Sequence, residues 1–207
     1  MASALIDRGF LTGVAGNEDP IDEVLLFDSV DAPKLFGMKE GGIEIRRTIG
    51  DISDRETVRG LIDRDDISVF HLASVVSGGG EIDFDLAMRV NLDGGRYLLD
   101  EIRMRHGLQR IVFASSIAVF GGAGMPSRVG DTVKQTPQTT YGVTKAILEL
   151  LINDYTRKGF LDGRSARLPT VIIRPGKPNL AASSFVSGVF REPLDGVDFD
   201  LPVPLDT

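Results

Sequence analysis

Tyr141 and Lys145 stand four residues apart in Tyr141-Gly142-Val143-Thr144-Lys145, and Ser115-Ser116 lies a short way upstream. On a helix, side chains at i and i+4 share a face, with Cβ atoms about 5–6 Å apart. An ammonium that close to a phenol favours the phenolate, so Tyr141 is expected to titrate below the ordinary value of about 10. A phenol so adjusted serves as a general base near neutral pH. A serine hydroxyl arriving from a strand end could hold the substrate oxygen. Together these groups can take a proton from an alcohol while a hydride leaves its carbon. The same spacing also arises on exposed helices with no chemistry to do. Here the upstream segment favours chemistry: Ile111-Val112-Phe113-Ala114 is a short apolar run ending in Ser115-Ser116, with Gly121-Gly122 after it. That pattern predicts a buried parallel strand delivering a hydroxyl at its C-terminal end, where open α/β sheets place ligands.

The elements that must position these residues follow from periodicity. Pro137 suits a first helical position with Thr136 as its cap, and Ile147, Leu148, Leu151 and Ile152 continue a helical stripe to about residue 158. Upstream, residues 2–9 read as a helix ending at Gly9. Segments 24–28, 43–47, 67–72 and 110–114 read as strands, and Val171-Ile172-Ile173-Arg174 as a fifth. Ser53 or Asp54 caps a short helix running through Leu61, and residues 83–105 form a long helix. Gly78-Gly79-Gly80 reads as a flexible loop on the substrate side. Beyond Pro175-Gly176 the chain is expected to be loop-like, with Pro178, Pro193, Pro202 and Pro204. Strands alternating with helices imply right-handed crossovers and a parallel sheet, hence an α/β doubly wound, dinucleotide-type fold. His71 is expected to be a packed strand residue and His106 a helix-end residue.

Composition narrows the classes. The 207 residues are 42% hydrophobic and 26% charged, ordinary for a globular chain. A net charge of -7 argues against nucleic acid as the main partner. The absence of cysteine excludes disulfides and thiolate metal sites and fits the cytoplasm. Two histidines are too few for a His-based metal centre without many carboxylates, so no metal is expected. There is no apolar run of membrane-spanning length and no secretory leader pattern in MASALIDRGF.

Asp28 closes a buried strand. An acid there accepts hydrogen bonds from a ribose diol and repels a 2′-phosphate, which favours NAD over NADP; the other role for it is to cap a turn. Asp51 and Ile52 follow the next strand, where they suit an adenine. Leu72-Ala73-Ser74 offers small residues for close backbone approach. Asn91 lies mid-helix, where it either binds a strand's backbone or faces water. A G-x-x-G-x-x-G phosphate loop is missing. Gly121-Gly122-Ala123-Gly124 lacks a following helix N-terminus, so it reads as a turn.

These segments, in this order, resemble the extended short-chain dehydrogenase/reductase family, also called the NAD-dependent epimerase/dehydratase family. The resemblance rests on Phe27-Asp28, Gly50-Asp51-Ile52, His71-Leu72-Ala73-Ser74, Asn91-Leu92-Asp93-Gly94, Ala114-Ser115-Ser116 with Val119-Phe120-Gly121, Tyr141 to Lys145, and Arg174-Pro175-Gly176. Lys177-Pro178-Asn179, Ser183-Ser184-Phe185 and Phe190-Arg191-Glu192-Pro193-Leu194 are similar to its D-erythronate dehydrogenase branch. The resemblance implies that Tyr141 accepts the proton, Lys145 lowers its pKa and holds the nicotinamide ribose, and Ser116 polarises the substrate hydroxyl. Ser116 is preferred to Ser115 because it directly precedes Ile117-Ala118-Val119-Phe120-Gly121. Asp28, Asp51, Ile52, Leu72, Ala73, Asn91, Ser115, Tyr141, Lys145 and Pro175 would line the NAD site. Lys177, Asn179 and Arg174, with Ser116, would bind a sugar acid, with Arg174 equally suited to a strand-end salt bridge. The implied reaction oxidises the C2 hydroxyl of a four-carbon sugar acid to a 2-oxo acid. By resemblance alone, two copies would pair through helices 83–105 and 137–158.

The expected fold is thus a Rossmann-like doubly wound sheet lacking its first strand and Gly-rich loop. Residues 1–175 would form the NAD-binding domain and 176–207 the start of a small substrate-binding region. In the order 3-2-1-4-5-6 the missing strand is central, so the strands at 24–28 and 67–72 lose a shared neighbour. Each buried group left unpaired costs about 1–3 kcal/mol. Two alternatives stand beside the dehydrogenase: a sugar-nucleotide epimerase or dehydratase using the same Tyr-Lys pair, and a non-catalytic remnant of the fold.

Overall fold

The computed structural model describes residues 1–13, 15–31, 42–173 and 180–203. The chain divides into two compact units, Met1–Ile52 and Ser53–Thr207. The expected boundary at 175/176 lies outside the described residues.

In the first unit, helix α1 (Ala2–Arg8) ends at Gly9, whose φ of 74° is the left-handed conformation that glycine adopts without a Cβ penalty. A hairpin follows that periodicity did not reveal: β1 (Phe10–Thr12) pairs antiparallel with β2 (Glu18–Pro20). Its strands are too short to show alternation. Then β3 (Glu23–Asp28) and β4 (Glu44–Ile49) pair in parallel, from Glu23 opposite Glu44 to Asp28 opposite Ile49.

The second unit opens with α2 (Arg55–Leu61). Of the two candidate caps Asp54 serves, accepting from the Glu56 N–H at 3.2 Å and the Thr57 hydroxyl at 2.7 Å. A parallel sheet follows in the order β5 (Ser68–His71), β6 (Arg110–Ser116), β7 (Asp162–Leu168). Among the described strands, β3 pairs only with β4 and β5 only with β6.

Several expectations in this unit are corrected. The last strand is 162–168, not 171–174: β7 pairs along β6 from Arg110 opposite Asp162 to Ser116 opposite Leu168. Val171, Ile172 and Ile173 have no strand partner and are 65%, 51% and 57% exposed, while Arg174 lies outside the described residues. Gly78-Gly79-Gly80 is helical, within α3 (Ser77–Ile82), rather than a loop. Residues 182–194 are also helical, a 3₁₀ turn (Ala182–Ser184) leading into α7 (Phe185–Leu194), with Pro193 at its end.

The long helix expected over 83–105 is three pieces: α4 (Phe84–Ala87), a π-helical stretch (Met88–Asp93) and α5 (Gly94–Arg103). Helix α6 (Thr140–Arg157) is capped by Thr139, whose hydroxyl accepts from the Gly142 N–H at 3.1 Å. Pro137 therefore lies before the helix, and Thr136 is not its cap but donates to the Gly121 carbonyl at 2.7 Å. Phe113 and Ile111 of β6 are fully buried, as are Leu99 and Ile102 of α5 and Leu148 and Ile152 of α6. A Cβ at Gly95 would stand 2.6 Å from Leu148 Cδ1, so glycine permits the close approach of α5 to α6. Among the described residues no helix is long and apolar enough to cross a membrane.

Candidate active site

β5 stops at His71, opposite Phe113, whereas β6 runs on through Ala114, Ser115 and Ser116. The first turn of α6 lies against this extension. Gly142 makes that possible, because a Cβ there would overlap the Ala118 carbonyl oxygen. A short 3₁₀ turn (Ile117–Val119) follows β6, with the Ser116 hydroxyl accepting from the Ala118 N–H at 3.1 Å.

Ser116 at the strand end lies close enough to the Tyr141 phenol to act on its titration. Lys145 is buried. Its Nζ donates to the Ala114 carbonyl at 2.8 Å and sits 4.6 Å from the Phe113 ring centroid and 5.3 Å from that of Tyr141. The i, i+4 pair thus shares the face that spacing predicts, but the expected acidity is corrected. Burial pushes the Tyr141 phenol up from its ordinary value, and Ser116 beside it pulls it down by less. Burial also lowers Lys145 to about 8.

His71 is packed as expected. It is buried and stacks on Phe113 with centroids 5.4 Å apart, and among the described residues no group hydrogen-bonds its Nε2. Burial, with the nearby Lys145 charge, lowers its pKa to about 3. His106 lies just past α5; its N–H donates to Asp65 at 2.9 Å.

Asn91 sits in the π-helical stretch and is spent on backbone and packing. Its Oδ1 accepts from the Val75 N–H at 2.7 Å and the Ser74 hydroxyl at 3.1 Å. Its amide donates to the Val75 carbonyl at 3.0 Å and to Thr144 at 3.3 Å. Of the two anticipated roles it takes the one that binds the segment after a strand. π-helical insertions recur at functional sites, and here the insertion seats a saturated amide under the Ser74-Val75 turn. Leu72 is exposed at the end of β5 and Ala73 half-buried.

Ser115 and Ser116 are separated by their partners. Ser115 is buried and donates to Glu149, so Ser116 is the serine at Tyr141. Glu149 was not singled out from the sequence. The signal for it was an acid four residues beyond Lys145 in an otherwise apolar stripe.

In the first unit, Asp28 is exposed at the C-terminal end of β3. Its Oδ1 accepts from the Val30 N–H at 3.2 Å and the Ser29 hydroxyl at 3.4 Å, so it caps a turn. Asp51 is exposed and Ile52 buried. Arg174, Pro175, Lys177 and Asn179 lie outside the described residues. No cluster of His, Cys, Asp and Glu able to hold a metal occurs among the described residues.

A family profile described as the NAD dependent epimerase/dehydratase family matches residues 17–203. The chain is 49% identical over 207 residues to D-erythronate dehydrogenase of Cupriavidus necator, covering all of this chain and 62% of that protein. It is 51% identical over 143 residues to D-erythronate dehydrogenase of Haemophilus influenzae, covering 69% of this chain and 45% of that protein. A crystal structure described as a nucleoside-diphosphate-sugar epimerase from Agrobacterium tumefaciens superposes with a TM-score of 0.82. It is 43% identical and is matched over 98% of this chain and 58% of its own. The chain thus spans about half to two-thirds of the length of these relatives.

Proposed function

The chain belongs to the NAD dependent epimerase/dehydratase family, and we propose that it carries the chemical centre of an NAD-dependent sugar-acid dehydrogenase. The substrate is a four-carbon sugar acid of the D-erythronate kind, oxidised at the C2 hydroxyl to the 2-oxo acid. The observation that carries this is the closeness of Tyr141 and Ser116 at the C-terminal end of β6, with Lys145 buried behind them.

Ser116 donates to the substrate oxygen and holds it beside Tyr141. Tyr141 takes the hydroxyl proton as the C2–H pair departs. Bound NAD supplies the acceptor for that hydride. In the free protein burial keeps the phenol protonated, so the base must form when charge is brought against it; Lys145, lowered to about 8, lies within reach to supply it. The residues fit a nicotinamide dinucleotide in part. Lys145 and Tyr141 face the strand end that nicotinamide would occupy. Asp28 is an exposed carboxylate suited to a ribose diol. The sequence holds no G-x-x-G-x-x-G loop for the pyrophosphate.

The 49% and 51% identity to proteins named D-erythronate dehydrogenase supports the sugar-acid substrate. Likeness to the structure described as a nucleoside-diphosphate-sugar epimerase supports a second reading, epimerisation or dehydration of a sugar nucleotide by the same Tyr-Lys pair. Exposed Phe84 (58%), Val143 (39%) and Leu150 (63%) support pairing of two copies through residues 84–103 and α6.

The test is NADH formation with a panel of four-carbon sugar acids, run on this chain and on an N-terminally extended version. NADH from D-erythronate supports the dehydrogenase. Interconversion of sugar nucleotides without net NADH supports the epimerase instead. Inertness of both versions toward both panels leaves the non-catalytic remnant.

A further inference from the structure

Three residues on one face of α6 grip three consecutive residues of β6. Tyr141 lies beside Ser116, Lys145 bonds the Ala114 carbonyl, and Glu149 bonds the Ser115 hydroxyl. The first two belong to the proposed chemistry. Glu149 lies two helical turns from Tyr141 and does not touch the Ser116–Tyr141 pair.

The Glu149 carboxylate is 3% exposed and fully engaged. Besides Ser115 it accepts from Arg167 Nη2 at 2.8 Å and Nε at 3.0 Å, and from Gln135 Nε2. A buried carboxylate persists only when it is paired and hydrogen-bonded in this way. Ser115 and Arg167 stand directly opposite each other on β6 and β7. One carboxylate on the helix therefore binds a cross-strand pair at the position immediately before Ser116.

We propose that Glu149 is a positioning residue: by holding Ser115 and Arg167 together it fixes the strand end that presents Ser116 to Tyr141. This rests on the dehydrogenase reading for its catalytic consequence, though not for its geometry. If it is right, breaking the Ser115 link alone lets Ser116 drift from Tyr141. Ser116 is the neighbour lowering the Tyr141 phenol against burial, so its displacement moves the phenol further up. The other titratable groups near Tyr141 stay in place: Lys145 on its own helix, His71 of β5 beside Lys145, and Glu81 of α3, whose carboxylate accepts the Thr140 N–H at 2.9 Å.

The variant is Ser115→Ala, which leaves the Glu149–Arg167 pair intact. Tyr141 is followed by NMR with ¹³Cζ-tyrosine, its signal assigned with Tyr141→Phe, and kcat and KM are measured alongside. The expected result is an upward move of the Tyr141 titration and a fall in kcat of about tenfold or more, with a smaller change in KM. Ser115→Thr, which keeps the hydroxyl, restores both, and Glu149→Gln gives the same upward move as Ser115→Ala. If Ser115→Ala and Glu149→Gln lower Tm yet leave the Tyr141 titration where it was, the carboxylate only neutralises Arg167 and the proposal is overturned. If the wild-type chain makes no NADH, the titration decides alone: a shift still supports the positioning role, and the failure belongs to the dehydrogenase reading.

Discussion

The C-terminal ends of β3 and β6 are built in opposite ways. At β3 the chain offers Asp28, an exposed carboxylate whose bonds among the described residues are to its own turn, through Ser29 and Val30. At β6 three consecutive residues are gripped by one helix face, and Lys145 and Glu149 are both buried there. The difference teaches where precision is required. If, as proposed, Asp28 meets a diol and Tyr141 moves a proton, the carboxylate tolerates small displacements and the proton transfer does not, because a misplacement of about 1 Å costs about 10²-fold. Burial at β6 therefore buys position while holding the Tyr141 phenol above its ordinary value.

Tyr141→Phe tests the rigid end most severely. Turnover should fall by about 10²–10⁴-fold, the usual worth of a general base, while NAD binding measured by calorimetry persists. Unaltered turnover would remove Tyr141 from the chemistry.

His71 tests the burial itself. Its folded pKa of about 3 lies below the ordinary 6.5, so the unfolded chain binds the extra proton between those values. Stability from the buried neutral ring is present above pH 6.5 and is lost as pH falls toward 3, by an amount on the order of a few kcal/mol. His71→Leu should flatten the decline of Tm between pH 6.5 and 4. An equally steep decline in that variant would show that other groups carry the acid sensitivity.

Gly142→Ala probes the seam between α6 and the turn after β6. The added methyl meets the Ala118 carbonyl, and the expected loss is about 1–3 kcal/mol in chemical denaturation together with reduced turnover. A stability equal to wild type would mean that the helix can shift without harm.

The smallest effect is expected at the loose end. Asp28→Ala should change the NAD/NADP preference by about tenfold or less and leave Tm nearly unmoved. An unchanged cofactor ratio would leave Asp28 as a turn cap alone.

What could be read in the sequence follows the same division between strong and weak local signals. The shared face of Tyr141 and Lys145, with Ser116 at the strand end, was legible because i, i+4 spacing and a strand-end serine are short-range geometry. The strands at 24–28 and 110–114 were legible because they are apolar runs. β7 was not: Asp162-Gly163-Arg164-Ser165-Ala166-Arg167-Leu168 is polar, and its identity comes from its register along β6 and from Arg167 reaching Glu149. Val171-Ile172-Ile173 misled in the opposite direction, since β-branched residues suit a strand only where there is a partner to pair with. The phenol's direction was missed because proximity to a cation can be counted from sequence and desolvation cannot. Residues 174–179, which would contribute Arg174, Pro175, Lys177 and Asn179, are outside the described structure.

The π-helical turn at Met88–Asp93 has a consequence for how such a chain can vary. Its hydrogen bonds span one more residue than an α-helix's, and that surplus sets the rotational phase of everything after it. Removing a single residue there would restore ordinary winding and swing Asn91 roughly 100° around the axis, away from Val75. Substitutions along this stretch can be absorbed one at a time, whereas a change in its length cannot. Lineages descended from this fold should therefore keep the count between Phe84 and Gly94 even where they exchange the letters.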